Sequence, residues 1–213
     1  MNEFCHICLC PITVDFQLAD LLMLPVDYHL CKTCQKIFEL PNQEEMQAGK
    51  YSLKQSVLVE HKGLFTYNKY TRNYLSQLNT YGDCAAALPA AQSLKHFLQP
   101  MVSNAGQGNI CLVPIPKRAD IVHACGFELM ECLLGMAGFM PSLFLQAGEN
   151  GAEQGNFETD NLPAGRQFLF CGQMHAQVIL VDDIYQSGAT MLQARKLCEK
   201  NQCKVLQTVS IFR

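Results

Sequence analysis

The sequence predicts an α/β fold, in which a mostly parallel sheet with helices on both faces follows a small cysteine-rich N-terminal module. Two apolar runs, Val178–Val181 and Ile110–Ile115, have the length and the branched side chains of strands that are buried on both faces, as in a parallel sheet. Segments in which apolar residues recur with helical spacing lie between and after these runs. Two Cys-x-x-Cys pairs, which begin at Cys5 and Cys31, mark the N-terminal module.

The composition is that of a globular protein. The chain of 213 residues is 49% hydrophobic and 16% charged, which suits one α/β domain with a small appendage. The formal net charge of −3 gives no support for a nucleic-acid-binding surface, although it is compatible with a local basic groove. No stretch approaches the roughly 20 apolar residues of a membrane span.

The cysteines predict a metal site. Met1–Cys10 lacks a basic region followed by an apolar run, so no signal peptide is expected and the protein is expected to be cytoplasmic. The twelve cysteines would then stay reduced. Two Cys-x-x-Cys pairs can close a tetrahedron around one ion, and four thiolates suit a structural Zn2+. The expected ligands are Cys5, Cys8, Cys31 and Cys34.

A zinc ion would stabilise a segment that is too short for a core of its own. Residues 1–41 are therefore predicted to be a zinc-binding module, 42–55 a linker and 56–213 the α/β domain. Three further side chains near the pairs stay open as alternative ligands: Cys10, His6 and His29. A redox dithiol is disfavoured, because neither pair lies at a strand-to-helix junction of a thioredoxin-like unit.

The stretch 178–190 carries the candidate ligand site. Its strand ends in Asp182 and Asp183, and ligands of open α/β sheets bind outside the carboxyl ends of the strands. A loop of small residues then enters a helix, so converging backbone N–H groups and the helix dipole favour a phosphate. Two carboxylates beside that phosphate suit vicinal hydroxyls or a hydrated Mg2+. A phosphate, a diol and a divalent ion together describe a ribose 5-phosphate.

The loop after this strand yields one structural expectation and excludes one fold. Gly188 is expected to let the backbone approach the phosphate closely, and a side chain there should impair binding more than folding, because the loop is expected to be exposed. The first strand of a response-regulator receiver also ends in two aspartates. That fold is excluded because too few residues follow Asp183 for its remaining strands.

Two cations follow the other apolar run. Pro114 and Pro116 predict an extended turn at its end, and Lys117 and Arg118 come next, before a helix predicted over 119–136. Cations at a strand end beside a helix start suit a diphosphate, and the alternative is a surface turn with solvated charges.

The other segments predict conventional elements and one lid. A short hairpin with a turn at Gly63, two helices and a final strand are predicted over 56–68, 69–78, about 82–98 and 204–213. Residues 146–163 are rich in glycine and asparagine and are predicted to form a mobile lid over the ligand.

The stretch 178–190 closely resembles the phosphoribosyl-diphosphate (PRPP) motif of type I phosphoribosyltransferases, in which an apolar run, two acidic residues and a Ser/Thr-Gly-x-Thr loop follow one another. The resemblance implies that Asp182 and Asp183 hold the ribose hydroxyls in the active site. It implies that the 5′-phosphate is bound by the loop residues Gln186, Ser187, Gly188, Ala189 and Thr190. It also implies that Mg2+ accompanies PRPP, whose diphosphate would lie by Lys117 and Arg118.

Nearly the whole chain is similar to the ComF family, also called the GntX or ComFC type, which joins a four-cysteine zinc module to a type I phosphoribosyltransferase domain. The similarity rests on the cysteine pairs, the PRPP motif and three further segments: Tyr67 to Gly82-Asp83, the Val-Pro-Ile-Pro at 113–116, and Val209–Arg213. The family implies a role in natural transformation, with a helicase-like competence partner and binding of single-stranded DNA.

The chain departs from the family pattern at three places. Asn79-Thr80-Tyr81 stand where members carry Lys before the Gly-Asp pair, and 125–129 read Cys-Gly-Phe-Glu-Leu in place of Arg-Gly-Phe-Asn-Gln. The predicted lid is acidic where members carry Arg or Lys. Each departure removes positive charge or a polar contact, so phosphoribosyltransferase activity is less strongly predicted than ribose-phosphate binding. The alternative is a non-catalytic adaptor that binds single-stranded DNA or a nucleotide and docks the helicase-like partner.

Overall fold

A computed structural model of the protein describes residues 2–13, 29–42, 61–103, 110–118, 122–123, 125–148 and 168–213. The strands are β1 (Asn2–Phe4), β2 (Pro11–Thr13), β3 (His61–Phe65), β4 (Ile110–Pro114), β5 (Leu145–Ala147), β6 (Phe168–Phe170), β7 (Gln177–Ile184) and β8 (Lys204–Phe212). The helices are α1 (Lys32–Gln35), α2 (Lys69–Tyr81), α3 (Cys84–Ser103), α4 (Leu129–Met136) and α5 (Ala189–Lys200), and a 3-10 turn, Lys36–Phe38, follows α1.

The central sheet has four strands in the order β3-β8-β7-β4, and all three pairings are parallel. Leu180 of β7 lies opposite Val113 of β4 on one side and Thr208 of β8 on the other. Two antiparallel pairs, β1-β2 and β5-β6, accompany this sheet. The arrangement confirms the predicted α/β fold, and it brings the carboxyl ends of the four strands to one edge of the sheet.

Helices cover both faces of the sheet, as predicted. Ile179 and Val181 of β7 pack in the cluster that includes the apolar side chains of α2, α3 and α4. Val178 and Leu180, which point to the opposite face, pack with those of α5. All four side chains are at most 1% exposed. Fully burying one such side chain stabilises the fold by about 1.5–3 kcal/mol, so this double-sided strand is a principal source of the stability of the sheet.

The described part of the N-terminal module packs against the α/β domain. The ring of Phe38 lies edge-on to Phe65 and Tyr74, with centroid distances of 5.1 and 5.8 Å. The backbone N–H of Thr66 donates a hydrogen bond of 2.8 Å to the carbonyl of Glu39. The predicted boundaries near residues 41 and 55 stay predictions, because most of the segment between them lies outside the described residues.

Two sequence predictions about individual elements are wrong. Residues 61–65 form an edge strand parallel to β8, and Gly63 lies inside it rather than in a hairpin turn. A Cβ at Gly63 would lie 2.6 Å from the Cβ of Arg213, so a close approach explains this glycine. The helix predicted over 119–136 is interrupted at Gly126, whose φ of +77° is left-handed, and α4 begins after that bend.

The segment predicted to form a lid begins in a β-ribbon. Gln146 and Ala147 belong to β5, which pairs with β6 in antiparallel register. The rest of the predicted lid, 149–163, lies outside the described residues, as does the first part of the predicted hairpin, 56–60. Within the described part of the chain, no helix has the length and hydropathy that crossing a bilayer requires.

Candidate functional site

A pocket of about 340 Å³ opens at the carboxyl edge of the sheet, between the ends of β4 and β7 and the start of α5. Most of the residues that the sequence singled out line it: Lys117, Asp182, Asp183, Gln186, Ser187, Gly188 and Thr190. Four other residues line it as well, and the sequence predicts no role for them: Asn79, Ile184, Tyr185 and Met191. The topology therefore brings together residues that lie more than 60 positions apart along the chain, from Lys117 to Asp182.

The two aspartates lie near the carboxyl end of β7, where the strand leaves the core. They are only 7% and 9% exposed. Oδ1 of Asp182 accepts the backbone N–H of Asp183 at 2.9 Å, and Oδ1 of Asp183 accepts that of Ile184 at the same distance. Each carboxylate is thus anchored by the following peptide. Buried carboxylates that are anchored in this way present fixed oxygen acceptors, which suits a diol or a cation.

Lys117 connects the two strand ends. Its Nζ lies 3.2 Å from Oδ2 of Asp183, and these side chains are 10% and 13% exposed. Nζ also donates to Oδ1 of Asn79 on α2. The pocket-lining residues include one cation, Lys117, and two carboxylates, so they carry one net negative formal charge.

The loop 186–188 and the first turn of α5 form the candidate phosphate cradle. Gly188 is the N-cap residue of α5, and among the described residues no side chain caps the helix there. The start of this helix lines the pocket, and a helix start with backbone N–H groups that lack intrahelical partners favours an anion. The backbone N–H of Ala189 donates a hydrogen bond of 3.4 Å to Oγ of Ser187, so one N–H group of that turn already has an acceptor.

Gly188 differs from the expectation drawn from the sequence. It is buried rather than exposed, and its φ of +75° is left-handed. A Cβ placed on it would lie 2.8 Å from Cζ of Tyr185, with the hydroxyl oxygen closer still. The prediction that a side chain here would spare the fold is therefore wrong, because it would strain the backbone and collide with the tyrosine.

The N-terminal cysteines form a second candidate site. The Sγ atoms of Cys5, Cys8, Cys10 and Cys31 all lie within 4.8 Å of one another, and Cys8 Sγ and Cys31 Sγ are 3.6 Å apart. The backbone N–H of Cys34 donates to Cys31 Sγ at 3.4 Å. Three of the four expected ligands thus share one cluster, and Cys10, an alternative from the sequence, lies in the same cluster.

The protonation of this cluster fits a metal ion. Against the effect of burial, hydrogen bonds from Cys34 and neighbouring thiols lower the pKa of Cys31 to about 6. Burial opposes a similar shift at Cys5, whose pKa is nevertheless lowered by backbone hydrogen bonds from Cys8, Cys31 and Ile7. Burial and side-chain hydrogen bonds raise the pKa of Cys34. Because thiolates are the species that bind Zn2+, a cluster with two acidic thiols can hold a metal such as zinc.

The chain is similar over most of its length to a curated protein. It is 27% identical over 207 residues to competence protein ComFC of Streptococcus pneumoniae (strain ATCC BAA-255 / R6), and the match covers 91% of each chain. No protein-family model matches the chain. The extent of the match and the cysteine cluster agree with the architecture that the sequence predicts. This similarity agrees with the ComF-family resemblance of the sequence.

One position at which the sequence departs from the ComF-family pattern lies next to the turn that carries Lys117. Glu128, where members carry Asn, accepts the backbone N–H of Lys117 on Oε1 at 2.9 Å. Its Oε2 is buried and has no hydrogen-bond partner among the described residues. Burial raises the pKa of Glu128, although the hydrogen bond and the charge of Lys117 oppose the shift. The carboxyl group of Glu128 thus holds the turn that carries Lys117.

Two sequence-predicted residues lie apart from the pocket lining. Arg118 is exposed and is not among the residues that line the pocket, and Ala189 begins α5 behind the loop. Asn79 does line it, through its contact with Lys117. The sequence carried a signal for Asn79, since it stands where the family carries a cation, but pairing with Lys117 could not be read from the chain.

Proposed function

We propose that this protein is a member of the ComF family, that it binds PRPP or a ribose 5-phosphate in the pocket at the carboxyl edge of its sheet, and that it acts in the cytoplasm in natural transformation. The observation that carries the proposal is the convergence of two anchored carboxylates, a glycine-containing helix-start loop and one lysine on a single pocket. The competence role is supported by the name of the similar protein, competence protein ComFC.

Each group has a role in this proposal. Asp182 and Asp183 accept hydrogen bonds from the ribose hydroxyls, since their oxygens are fixed acceptors at the strand end. The loop from Gln186 to Thr190 binds the 5′-phosphate through its backbone N–H groups and hydroxyls. Lys117 pairs with the diphosphate, and Arg118, which is exposed, approaches the same group from the rim.

Mg2+ is the proposed companion of PRPP. Its preferred ligands are carboxylate oxygens, water and phosphate oxygens, and the pocket offers two carboxylates against one ammonium group. When bound, the ion would neutralise part of the charge of the diphosphate. In a phosphoribosyltransferase reaction, a nucleophile displaces diphosphate from C1 of PRPP, and the residues of this chain contribute by positioning and electrostatics.

The cysteine cluster is proposed to hold one structural Zn2+. Cys5, Cys8 and Cys31 are ligands under either choice of the fourth residue. The spacing of the pairs favours Cys34, whose N–H already bonds Cys31 Sγ, and the distances between thiols also admit Cys10. A closed four-thiolate site is structural rather than catalytic.

A second candidate function is favoured by the charge of the pocket. Lys117 is already paired with Asp183, and Glu128 adds a carboxyl group behind it. A pocket that holds few cations binds a diphosphate less strongly than a pocket with several. The alternative is therefore a non-catalytic adaptor, which binds a nucleotide or single-stranded DNA and docks a helicase-like partner.

Calorimetric titration distinguishes the two candidates. The full chain is titrated with PRPP and Mg2+, with ribose 5-phosphate and with a short single-stranded DNA, each at two salt concentrations. The phosphoribosyl proposal expects saturable binding of the first two ligands with a weak salt dependence. Tight DNA binding with a steep salt dependence, and none of the sugar phosphates, would instead favour the adaptor.

A further inference from the structure

Tyr185 lies between the edge strand β3 and the loop 186–188, which is called the phosphate loop below. Its ring stacks on the imidazole of His61 from β3, with a centroid distance of 3.7 Å and an angle of 19° between the planes. The guanidinium carbon of Arg213 lies 6.0 Å from the centroid of the Tyr185 ring. Stacking and cation–π contact both restrict the ring to one orientation, so the direction of the hydroxyl is set by residues outside the PRPP motif.

His61 is itself held firmly. Its Nδ1 lies 3.1 Å from Oγ1 of Thr208, and its Nε2 lies 3.0 Å from Oγ of Ser210, so both ring nitrogens have hydroxyl partners on β8. Burial, with a contribution from the charge of Arg213, lowers the pKa of His61 to about 3. The imidazole is therefore neutral at physiological pH, and it forms a rigid, uncharged plate beneath Tyr185.

The hydroxyl of Tyr185 reaches the phosphate loop. It lies against Gly188, on the side where a Cβ would project, and the side chain lines the pocket. Among the described residues, this hydroxyl has no hydrogen-bond partner. A phenol can donate and accept a hydrogen bond. When the ring of a tyrosine is packed in place, its hydroxyl usually has a hydrogen-bond partner. An anion bound at Gly188 would accept a hydrogen bond from this hydroxyl.

We propose that Tyr185 is a phosphate-binding residue of this pocket, and that His61 is the positioning residue that aims its hydroxyl. The inference rests on the proposed function, because it assigns one more donor to the same phosphate. The hydroxyl lies at the helix-start end of the pocket, beside Gly188, whereas the carboxylates of Asp182 and Asp183 lie on the strand. Its partner is therefore the phosphate rather than the ribose hydroxyls.

The first test removes the hydroxyl alone. Tyr185→Phe keeps the stacked ring, and the affinities of the full chain for inorganic phosphate and for ribose 5-phosphate are measured by calorimetry. A hydrogen bond to a charged group corresponds to about tenfold in affinity or more, and we expect both ligands to lose about that factor. Tyr70→Phe is the matched control. Tyr70 lies on α2, where its ring contacts Lys36 and Lys69, and it does not line the pocket.

The second test shows whether His61 acts through Tyr185. His61→Gln keeps a donor and an acceptor for the two hydroxyls but removes the aromatic plate. We expect it to weaken phosphate binding in the wild-type background and to have no further effect in the Tyr185→Phe background. Equal losses in both backgrounds would assign His61 a general structural role and overturn its positioning role.

The outcomes separate this inference from the proposed function. If the wild-type chain binds neither inorganic phosphate nor ribose 5-phosphate, the proposed function fails and this inference fails with it. If the wild-type chain binds both and Tyr185→Phe binds them equally well, only the inference fails. Because Tyr185→Phe retains the ring and its contacts, a loss of folding is not expected, and thermal unfolding of each variant without ligand checks this.

Discussion

Nζ of Lys117 lies 3.2 Å from Oδ2 of Asp183, so an ion pair joins the carboxyl ends of β4 and β7. Both side chains are largely buried, and Lys117 is further held by Asn79 on α2. The pair balances one of the two carboxylates that the sheet edge collects. A ligand that engages the carboxylate or the ammonium group must therefore share or open this contact.

Breaking the pair should destabilise the fold. Lys117→Met leaves the carboxylate of Asp183 buried without its cation, and we expect a loss of about 3 kcal/mol in the free energy of unfolding, measured by urea denaturation. The double variant Lys117→Met with Asp183→Asn should recover part of that loss. Arg118→Met is the matched control, because Arg118 is exposed, and a loss there as large as that of Lys117→Met would contradict the account.

Gly188 and Gly126 provide a matched comparison of two left-handed glycines. Their φ angles are +75° and +77°, but a Cβ at Gly188 meets Tyr185, whereas one at Gly126 meets no atom of the described residues within 4 Å. Gly126→Ala should therefore cost only the backbone strain, about 1–2 kcal/mol. Gly188→Ala should cost more and should also abolish binding of ribose 5-phosphate. Equal stabilities for the two variants would mean that the contact with Tyr185 imposes no penalty.

The cysteine cluster should bind about one zinc ion per chain, as elemental analysis of the purified protein would show. We expect the double variant Cys5→Ser, Cys8→Ser to lose the ion, because both thiols belong to the cluster. Cys171→Ser is the control, since Cys171 is exposed and lies outside the cluster. Full occupancy in the double variant would rule out these ligands. The single variants Cys10→Ser and Cys34→Ser then identify the fourth ligand by which of them loses zinc.

His61 should make the fold sensitive to acid. Its pKa is lowered to about 3 in the folded protein by burial and by Arg213, whereas an unfolded histidine titrates near 6.5. The unfolded chain thus binds one more proton between these values, so the stability that His61 confers is complete above pH 6.5 and falls as the pH drops toward 3. The slope from this residue is at most about 1.4 kcal/mol per pH unit.

The corresponding measurement is the free energy of unfolding of the wild type and of His61→Gln from pH 7 to pH 4. We expect the variant to be less stable at pH 7 and the two curves to converge as the pH falls. His96→Gln, at an exposed position on α3, is the control for replacing a histidine with glutamine. Parallel curves for the wild type and His61→Gln would show that His61 takes up its proton equally well in the folded state.

The sequence predicted the elements whose pattern is set by burial on two faces. The run Val178–Val181 is a strand because both faces are covered, and the alternating neighbours of β7 confirm that interpretation. The sequence predicts a hairpin where the edge strand β3 lies, because a glycine such as Gly63 often marks a turn. The close approach of Arg213, which explains this glycine, is visible only in the folded chain. The spacing of apolar residues predicts one helix that runs through Gly126. The left-handed backbone of Gly126 interrupts that helix.

The site was predictable only in its local part. The motif from Asp182 to Thr190 is contiguous, so its chemistry could be read directly from the chain. The role of Tyr185 depends on His61, which is more than 120 positions away, and no local pattern links the two. The pairing of Lys117 with Asp183 depends in the same way on strand order, since β4 and β7 become neighbours only in the folded sheet.

We propose that the carboxylates of Asp182 and Asp183 on β7 recognise the ribose diol of a sugar phosphate. The most direct measurement compares the affinities of the wild-type chain and of Asp183→Asn for ribose 5-phosphate and for 2-deoxyribose 5-phosphate, by calorimetry with Mg2+ present. The two ligands share the phosphate, so their affinity ratio isolates the diol contact. We predict that the wild type prefers ribose 5-phosphate by about tenfold, as expected for a hydrogen bond to a charged group, and that Asp183→Asn loses most of this preference. Equal affinities of the wild type for the two sugars, or a preference that survives in both Asp183→Asn and Asp182→Asn, would contradict the claim.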